Sequence, residues 1–312
     1  MNRESALIAA LRALATDPAA RGLRDDAAVL PVARGAIVLT HDMLIEGVHF
    51  LPGDPPGDVA WKLLAVNMSD LAAKGADPMG VLLGYGMTSD AEWDLAFVTG
   101  LREAIAHFGV PLLGGDTVAQ PAGDARALGL TAIGAAGPRT PSRTDARAGD
   151  ALYVTGTIGD SRLGLRIASD EIHGSADLLS AYRRPVPRLA AGRALAPFVH
   201  AMADVSDGLL IDASRIAEAS GLAVAIDLAV VPLSSSAKAL AGDDRAARIA
   251  AATGGDDYEL LFSAPADAQA DLAARIAPLA LTRIGSLHAG SGIVLTDAGR
   301  AVPLPSRLGY EH

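Results

Sequence analysis

The sequence contains no cysteine, and aromatic residues make up only 4% of its 312 positions. Without cysteine, disulfides, thiol catalysis, zinc thiolate sites and iron–sulfur clusters are excluded. Lysine is scarce and no Gly-x-x-x-x-Gly-Lys-Ser/Thr motif occurs, which excludes a P-loop nucleotide site and a protein-kinase site at the level of motifs. The 7 histidines form no His-x-x-x-His pair and Gly-x-Ser-x-Gly is absent, so neither a zinc enzyme nor a serine hydrolase is supported.

Long hydrophobic runs are missing as well. No apolar run reaches membrane-spanning length, and the apolar stretch 5–11 is interrupted by Arg12 instead of leading to a cleavage site. The formal net charge of −10 repels phosphate backbones and anionic membranes. We therefore expect a soluble, cytoplasmic protein that binds neither nucleic acid nor membranes and that holds any phosphate ligand through cations or arginines.

The composition of the chain is typical of a compact globular protein, since 50% of its residues are hydrophobic and 20% are charged. A chain of 312 residues is longer than one average core requires, which predicts two domains. Strand-like runs alternate with helical patterns, which predicts an α/β architecture with some α+β mixing. The aperiodic segment 138–149, with its prolines and arginines, is interpreted as a linker between domains 1–137 and 150–312.

Local patterns near the N-terminus place polar residues at a strand end. Apolar residues at helical spacing predict a helix over 4–14, and β-like runs predict strands over 27–32 and 36–40. The second strand is expected to give way to a loop at His41 and Asp42. Side chains at strand ends are well placed to present chemistry.

Two helices are predicted next, each with its own start signal. Asp58 follows a loop of proline, glycine and aspartate and is predicted to cap the first helix. Asn67 and Asp70 are three residues apart on that helix and therefore share one face. Ser89 and Glu92 have the spacing of a capping box for the second helix.

Aspartates at the ends of predicted elements are the most informative residues. Taken singly, each is explained as a cap, a turn former or a solvated charge. Taken together, they would converge on one cleft, where carboxylates repel each other unless a cation lies among them. Hard oxygen ligands select Mg²⁺, which usually serves phosphates. The members of this set are Asp25, Asp26, Asp42, Asp70, Asp116, Asp204 and Asp207.

Glycine-rich segments and one histidine give weaker signals. The glycine pairs in 114–116 and 254–256, each followed by aspartate, let the backbone approach a ligand closely. Segment 156–161 is either a phosphate cradle at a helix N-terminus or an ordinary strand-to-helix turn. His49 is either a loop residue or a ligand.

Longer motifs occur in an order and spacing that are not generic. They are Arg24-Asp25-Asp26-Ala27-Ala28-Val29, Thr40-His41-Asp42-Met43-Leu44-Ile45-Glu46-Gly47-Val48-His49-Phe50, Asn67-Met68-Ser69-Asp70-Leu71-Ala72-Ala73, Gly114-Gly115-Asp116-Thr117, Asp204-Val205-Ser206-Asp207-Gly208-Leu209 and Gly254-Gly255-Asp256-Asp257-Tyr258-Glu259-Leu260-Leu261-Phe262. Together they resemble the thiamine-monophosphate kinase family over nearly the whole chain. Single motifs also resemble aminoimidazole ribonucleotide synthetase, but the blocks 46–50 and 257–262 point to the kinase.

The resemblance implies a fold and an assembly. We expect a two-domain fold like that of aminoimidazole ribonucleotide synthetase. Its N-terminal domain joins a partner's in a barrel-like interface of a homodimer, and an α/β C-terminal domain packs behind it. The active site is expected in the cleft between the domains.

The resemblance also implies roles for individual residues. Several Mg²⁺ ions would be held by Asp26, Thr40, His41, Asp42, Asp70, Asp116, Asp204 and Asp207. ATP, the co-substrate, would contact Gly115, Asp116, Arg143 and Ser206. Thiamine monophosphate would be bound by His49, Asp256 and Tyr310.

Three positions depart from the family pattern. His41 stands in place of the usual threonine, so only its backbone carbonyl is left to reach a metal. Val98 replaces a tyrosine expected near the adenine, which removes a stacking face. Asp256 replaces a glutamate and is shorter by one methylene. No core carboxylate is missing.

The implied reaction is ATP-dependent phosphorylation of thiamine monophosphate to the diphosphate. We expect direct transfer with no covalent catalytic residue, because no nucleophile has a suitable position in the sequence. Two alternatives stay open: another ATP-using enzyme of the same superfamily that forms a phosphorylated intermediate, and a non-catalytic dimer that binds nucleotide and metal.

Overall fold

The computed structural model describes residues 24–25, 28–32, 35–88, 90–121 and 123–311. The helix predicted over 4–14 lies outside these residues. In the described part of the chain the strands form two separate sheets, one built from the first half and one from the second. No helix of these ranges is long and apolar enough to cross a membrane.

The N-terminal sheet has the strand order β1-β2-β5-β3-β4. Strands β3 and β4 pair in parallel, and the other neighbours are antiparallel. The strands are β1 (Ala28–Val32), β2 (Gly35–Ile45), β3 (Asp77–Met87), β4 (Leu112–Ala119) and β5 (Ala127–Ala135). This sheet is open in the described chain, and β4 is an edge strand whose residues are all exposed. The barrel-like dimer interface therefore stays a proposal.

Two helices, α1 (Pro56–Ala73) and α2 (Ala91–Phe108), pack in the core of the N-terminal half. Helix α1 is buried along most of its length, because its own apolar residues lie on all sides of the helix and do not form a single stripe. Its middle packs with the N-terminal core, whereas Ala72 and Ala73 belong to an apolar cluster of the second half. Helix α1 therefore joins the two halves of the molecule.

The C-terminal sheet is mixed and has the strand order β12-β11-β8-β10-β6-β9-β7. Only β11 and β8 pair in parallel among these described strands. The strands are β6 (Ala151–Thr155), β7 (Met202–Asp204), β8 (Leu222–Asp227), β9 (Leu260–Ala264), β10 (Leu281–Ala289), β11 (Gly292–Asp297) and β12 (Arg300–Val302). Strand β7 is short and ends at Asp204, so this carboxylate lies at the C-terminal end of an edge strand.

Seven helices are described in this half, and α6 supplies much of the core on one face of the sheet. Helix α3 begins directly after Gly159, as its sequence predicts. The helices are α3 (Asp160–Ala168), α4 (Ala176–Arg183), α5 (Leu189–Leu195), α6 (Leu209–Ala219), α7 (Ser235–Ala241), α8 (Arg245–Ala252) and α9 (Gln269–Ile276).

The segment 138–149, interpreted as a linker, has local order of its own. Residues Arg143–Asp145 form a 3₁₀ turn that Ser142 caps reciprocally with Asp145. Ser220 at the end of α6 accepts from the backbone of Ala146 at 3.2 Å and ties the segment to the C-terminal half. The domain boundaries at 137 and 150 stay a prediction.

Two local predictions are wrong, and a third falls partly outside the described residues. Strand β2 continues to Ile45, so His41 and Asp42 lie within a strand and not at its end. Helix α1 begins at Pro56, and Asp58 lies in its first turn, where it pairs with Arg184 instead of capping. Asp90 caps α2 by accepting from the Trp93 N–H at 3.0 Å. The predicted capping box of residues 89 and 92 includes residue 89, which lies outside the described residues.

Candidate active site

A cleft of about 740 Å³ lies between the two halves and is lined by ten of the side chains predicted from the sequence to form the site. Strand β2, helix α1 and the C-terminal segments 204–219 and 254–258 supply most of its walls. The predicted residues that line it are Asp25, Asp42, His49, Asp70, Arg143, Asp204, Ser206, Asp207, Asp256 and Tyr310. Asp25 forms an ion pair with Lys74. The structure thus brings together carboxylates that are up to 231 positions apart, from Asp25 to Asp256.

Helix α1 carries Asp70, and its Ser69 side chain contacts Asp204. The Thr40 hydroxyl, from β2, donates to the Asp70 carboxylate, and Ser69 Oγ donates to Asp204 Oδ2 at 2.5 Å. Asn67 Oδ1 accepts from the Asp42 N–H at 3.2 Å and holds the middle of β2. The 67–70 face is therefore buried against both sheets, whereas the sequence indicated only that Asn67 and Asp70 share a face.

The loop 206–208 is organised by Asp212, a fully buried residue that the sequence analysis missed. Asp212 Oδ2 accepts from the backbone N–H groups of Ser206, Asp207 and Gly208 at 3.1, 3.1 and 3.2 Å. One carboxylate oxygen thereby satisfies three consecutive donors at the start of α6. In the sequence, only the position of Asp212, four residues after Gly208, could have indicated that it binds the backbone of this loop. An exposed aspartate in the first turn of a helix has the same spacing.

Arg215, also missed, is the cation beside this loop. It donates to the Asp207 carboxylate and to Asp212 Oδ1, the latter at 2.8 Å. Burial by itself lowers the pKa of Arg215, but the carboxylates of Asp212 and Asp207 outweigh it, so that the pKa is raised. The guanidinium therefore stays charged and balances part of the negative charge in the cleft.

The loop 254–258 lines the cleft beside the loop 206–208 and contains two non-glycine residues with positive φ angles, Asp256 at 62° and Tyr258 at 52°. Two backbone bonds tie it to the neighbouring strand end, from Asp256 N to Ser206 O at 2.7 Å and from Tyr258 N to Val205 O at 2.8 Å. Burial, followed by the charge of Asp256, raises the pKa of Tyr258. Its hydroxyl stays protonated and donates to Asp256 Oδ1 at 2.9 Å.

Some predicted residues lie elsewhere. Gly115 and Asp116 lie on the exposed edge strand β4, and Asp116 Oδ1 accepts from the neighbouring Thr117 N–H at 2.9 Å. His41 is exposed, unlike its buried neighbour Thr40, and its Nδ1 lies 2.9 Å from Thr131 Oγ1. Asp26 lies outside the described residues. Val98 is half exposed on α2.

The residues of the cleft fit Mg²⁺, because several aspartates line it and carboxylate oxygens are ligands that Mg²⁺ prefers. The chain has no cysteine that could offer a thiolate ligand instead. Within the described ranges, no group of three or more histidine or acidic side chains is already arranged to hold a metal ion. Asp70 and Asp204 accept from hydroxyl groups, and Asp207 accepts from Arg215. All three carboxylates face the same cleft.

Comparison with known proteins identifies the family of this site. Residues 24–136 match the family model "AIR synthase related protein, N-terminal domain", and residues 147–298 match "AIR synthase related protein, C-terminal domain". The thiamine-monophosphate kinase of Caulobacter vibrioides is 42% identical over 308 residues, which are 95% of this chain and 86% of that protein. The chain belongs to the thiamine-monophosphate kinase family.

Solved structures agree with this membership. A thiamine-monophosphate kinase from Stenotrophomonas maltophilia is 38% identical, with a TM-score of 0.78 over 95% of each chain. A structure of AaThiL complexed with AMPPCP and TMP has a TM-score of 0.84 at 28% identity and covers 96% of this chain and 98% of that one. The expected two-domain fold of the superfamily is therefore confirmed.

Proposed function

We propose that the chain transfers the γ-phosphoryl group of ATP directly to the phosphate of thiamine monophosphate, in the cleft between its two halves. The observation that carries the proposal is the convergence of Asp42, Asp70, Asp204 and Asp207 on one cleft that also contains arginines. Phosphoryl transfer requires positioning and charge neutralisation more than covalent chemistry. The family membership of the chain and the AaThiL complex with AMPPCP and TMP support the same substrates.

Direct transfer suits the acceptor. A phosphate monoester has a second pKa of about 6, so its oxygen is already an anion at neutral pH and needs no general base. The chain has no cysteine, and Asp207 is engaged by Arg215. A phosphoenzyme would add a step without removing a barrier.

Mg²⁺ would be held by carboxylates of the cleft and would supply neutralisation of the phosphate charges. The proposed ligands are Asp26, Thr40, His41 through its carbonyl, Asp42, Asp70, Asp116, Asp204 and Asp207. Of these, Thr40 orients Asp70 by a hydrogen bond, and Ser69 orients Asp204. Arg143 and Ser206 would contact ATP from the C-terminal wall, and His49, Asp256 and Tyr310 would bind thiamine monophosphate.

Gly115 and Asp116 would contact ATP from β4, where we propose that a second copy of the chain packs. Support comes from exposed apolar side chains on β2, β3 and β4, which an isolated monomer seldom leaves uncovered. They are Met43, Met79, Leu82, Met87, Leu112, Leu113 and Val118, between 39% and 57% exposed. We further propose domains at 1–137 and 150–312 and a cytoplasmic location, where ATP is available.

The proposal is tested with purified protein, Mg²⁺ and γ-labelled ATP. With thiamine monophosphate we expect labelled thiamine diphosphate, and with unphosphorylated thiamine little or no product, because its alcohol would need a base. Incubation without acceptor, followed by denaturation, should leave no label on the protein. Stoichiometric label that chases into thiamine diphosphate would overturn direct transfer. Failure to form thiamine diphosphate would overturn the proposed activity.

A further inference from the structure

Lys62 is a buried cation in the middle of an apolar helix. The residue is 2% exposed and lies on α1. Its Nζ donates to Asp256 Oδ2 at 2.6 Å and to the His49 carbonyl at 3.0 Å, and it lies 4.3 Å from the centroid of the Tyr182 ring. An ammonium group is costly to bury unless it is paired and hydrogen-bonded, and these contacts supply both conditions.

The partners of Lys62 come from the two halves of the molecule. His49 follows β2 in the N-terminal half, and Asp256 lies in the 254–258 loop of the C-terminal half. Both residues line the cleft, whereas Lys62 is not part of its lining. The ammonium group thus connects a residue of the N-terminal half to a residue of the C-terminal half, and it does so from outside the cleft lining.

His49 and Asp256 are each held by more than one hydrogen bond. Besides the Lys62 contact with its carbonyl, the His49 ring accepts the Ile45 N–H at Nδ1 over 3.0 Å, which leaves Nε2 as the protonated nitrogen of the neutral ring. Asp256 is held at one carboxylate oxygen by Lys62 and at the other by Tyr258. Its positive φ is a conformation that persists only when surrounding contacts enforce it.

We propose that Lys62 is a positioning residue that fixes Asp256 and His49 at the spacing required to bind thiamine monophosphate. It would act through these two residues and would not touch the reacting phosphates. The inference rests on the proposed function, because it concerns the acceptor side of the same site. A loss of Lys62 is therefore expected to affect the acceptor and not ATP.

The test compares Lys62→Met with wild type in steady-state kinetics. Methionine keeps an unbranched apolar side chain and removes the charge. We expect the KM for thiamine monophosphate to rise about tenfold or more, since a hydrogen bond to a charged group is lost, while kcat and the KM for ATP stay within about twofold. Lys238→Met, at an exposed position on α7, is the matched control and should behave as wild type.

A double-mutant cycle separates positioning from a general structural role. If Lys62 acts through Asp256, then Asp256→Asn should add little to the effect of Lys62→Met. Additive effects on the acceptor KM, an unchanged acceptor KM in Lys62→Met, or an equal rise in the KM for ATP would each overturn the inference.

Tyr258→Phe decides the question if Lys62→Met does not fold. It removes only the hydroxyl that holds the second oxygen of Asp256, and it should raise the acceptor KM selectively. No change in that variant would count against the positioning role. If wild type itself forms no thiamine diphosphate, the proposed function fails. The inference is then judged by calorimetric titration with thiamine monophosphate, in which equal affinity of wild type and Lys62→Met would refute it.

Discussion

At the residue scale, the cost of burying charge indicates which carboxylates serve chemistry. Asp70 is 9% exposed on a helix surrounded by apolar side chains, and the Thr40 hydroxyl donates to it. A buried carboxylate costs free energy through desolvation, and packing does not compensate for that cost. Asp70 lines the same cleft as Asp42, Asp204 and Asp207, which supports its proposed role as a metal ligand.

We predict that Asp70→Asn lowers the turnover rate by roughly a hundredfold or more at saturating Mg²⁺, because loss of a metal ligand typically costs several kcal/mol of transition-state stabilisation. The amide oxygen can still accept from Thr40, so the fold should be kept, as measured by circular dichroism and thermal unfolding. Asp271→Asn, at an exposed position on α9, is the control. Wild-type turnover in Asp70→Asn would refute the metal assignment.

At the scale of elements, α1 and α5 approach each other at glycine. A Cβ on Gly192 of α5 would lie 2.0 Å from the carbonyl oxygen of Ala72 in α1, which is closer than real atoms allow. A Cβ on Gly75, just beyond α1, would lie 2.4 Å from the Ala196 side chain. This backbone contact fixes α1, and with it Ser69 and Asp70, relative to the C-terminal half.

We predict that Gly192→Ala destabilises the protein by about 1–3 kcal/mol, because the helices must separate to admit the methyl group. The sign is informative, since alanine in place of glycine within a helix otherwise stabilises by about 0.8–1.0 kcal/mol. Denaturant unfolding measures the change. Gly53→Ala, where nothing lies within 4 Å of the added carbon, should have little effect. A more stable Gly192→Ala protein would contradict the close packing.

The strands and helices also show how far the sequence could predict this molecule. Most strands follow from apolar runs, but β2 extends beyond the predicted end because Thr40, Asp42 and Leu44 continue the inward alternation with polar members. Polar residues on the inward face of a strand thus prevent a hydrophobicity pattern from predicting its full length. Lys62 was missed for a different reason: its partner Asp256 is 194 positions away, and no local pattern reports such a pair.

At the scale of the whole molecule, the exposed face of the N-terminal sheet is left incomplete in a single chain. Strand β4 is an edge with every residue exposed, and unpaired edges of this kind invite association. Gly115 and Asp116, proposed to contact ATP, lie on this same strand. A second copy packed here would cover the apolar side chains and complete the surroundings of both residues.

We therefore predict a homodimer, with a mass in light scattering of twice the 31.7 kDa of the chain. Leu113→Asp, at a side chain that is 57% exposed on β4, should shift the protein toward monomer, because a charge would be buried in an apolar interface. Leu95→Asp, on α2 and 70% exposed, is the control and should remain dimeric. Calorimetric titration should then show weaker ATP binding in the Leu113 variant alone. A wild-type monomer that is fully active would contradict the homodimer. A monomeric Leu113→Asp protein with unchanged ATP affinity would show that β4 serves association, and it would contradict the proposed contact of β4 with ATP.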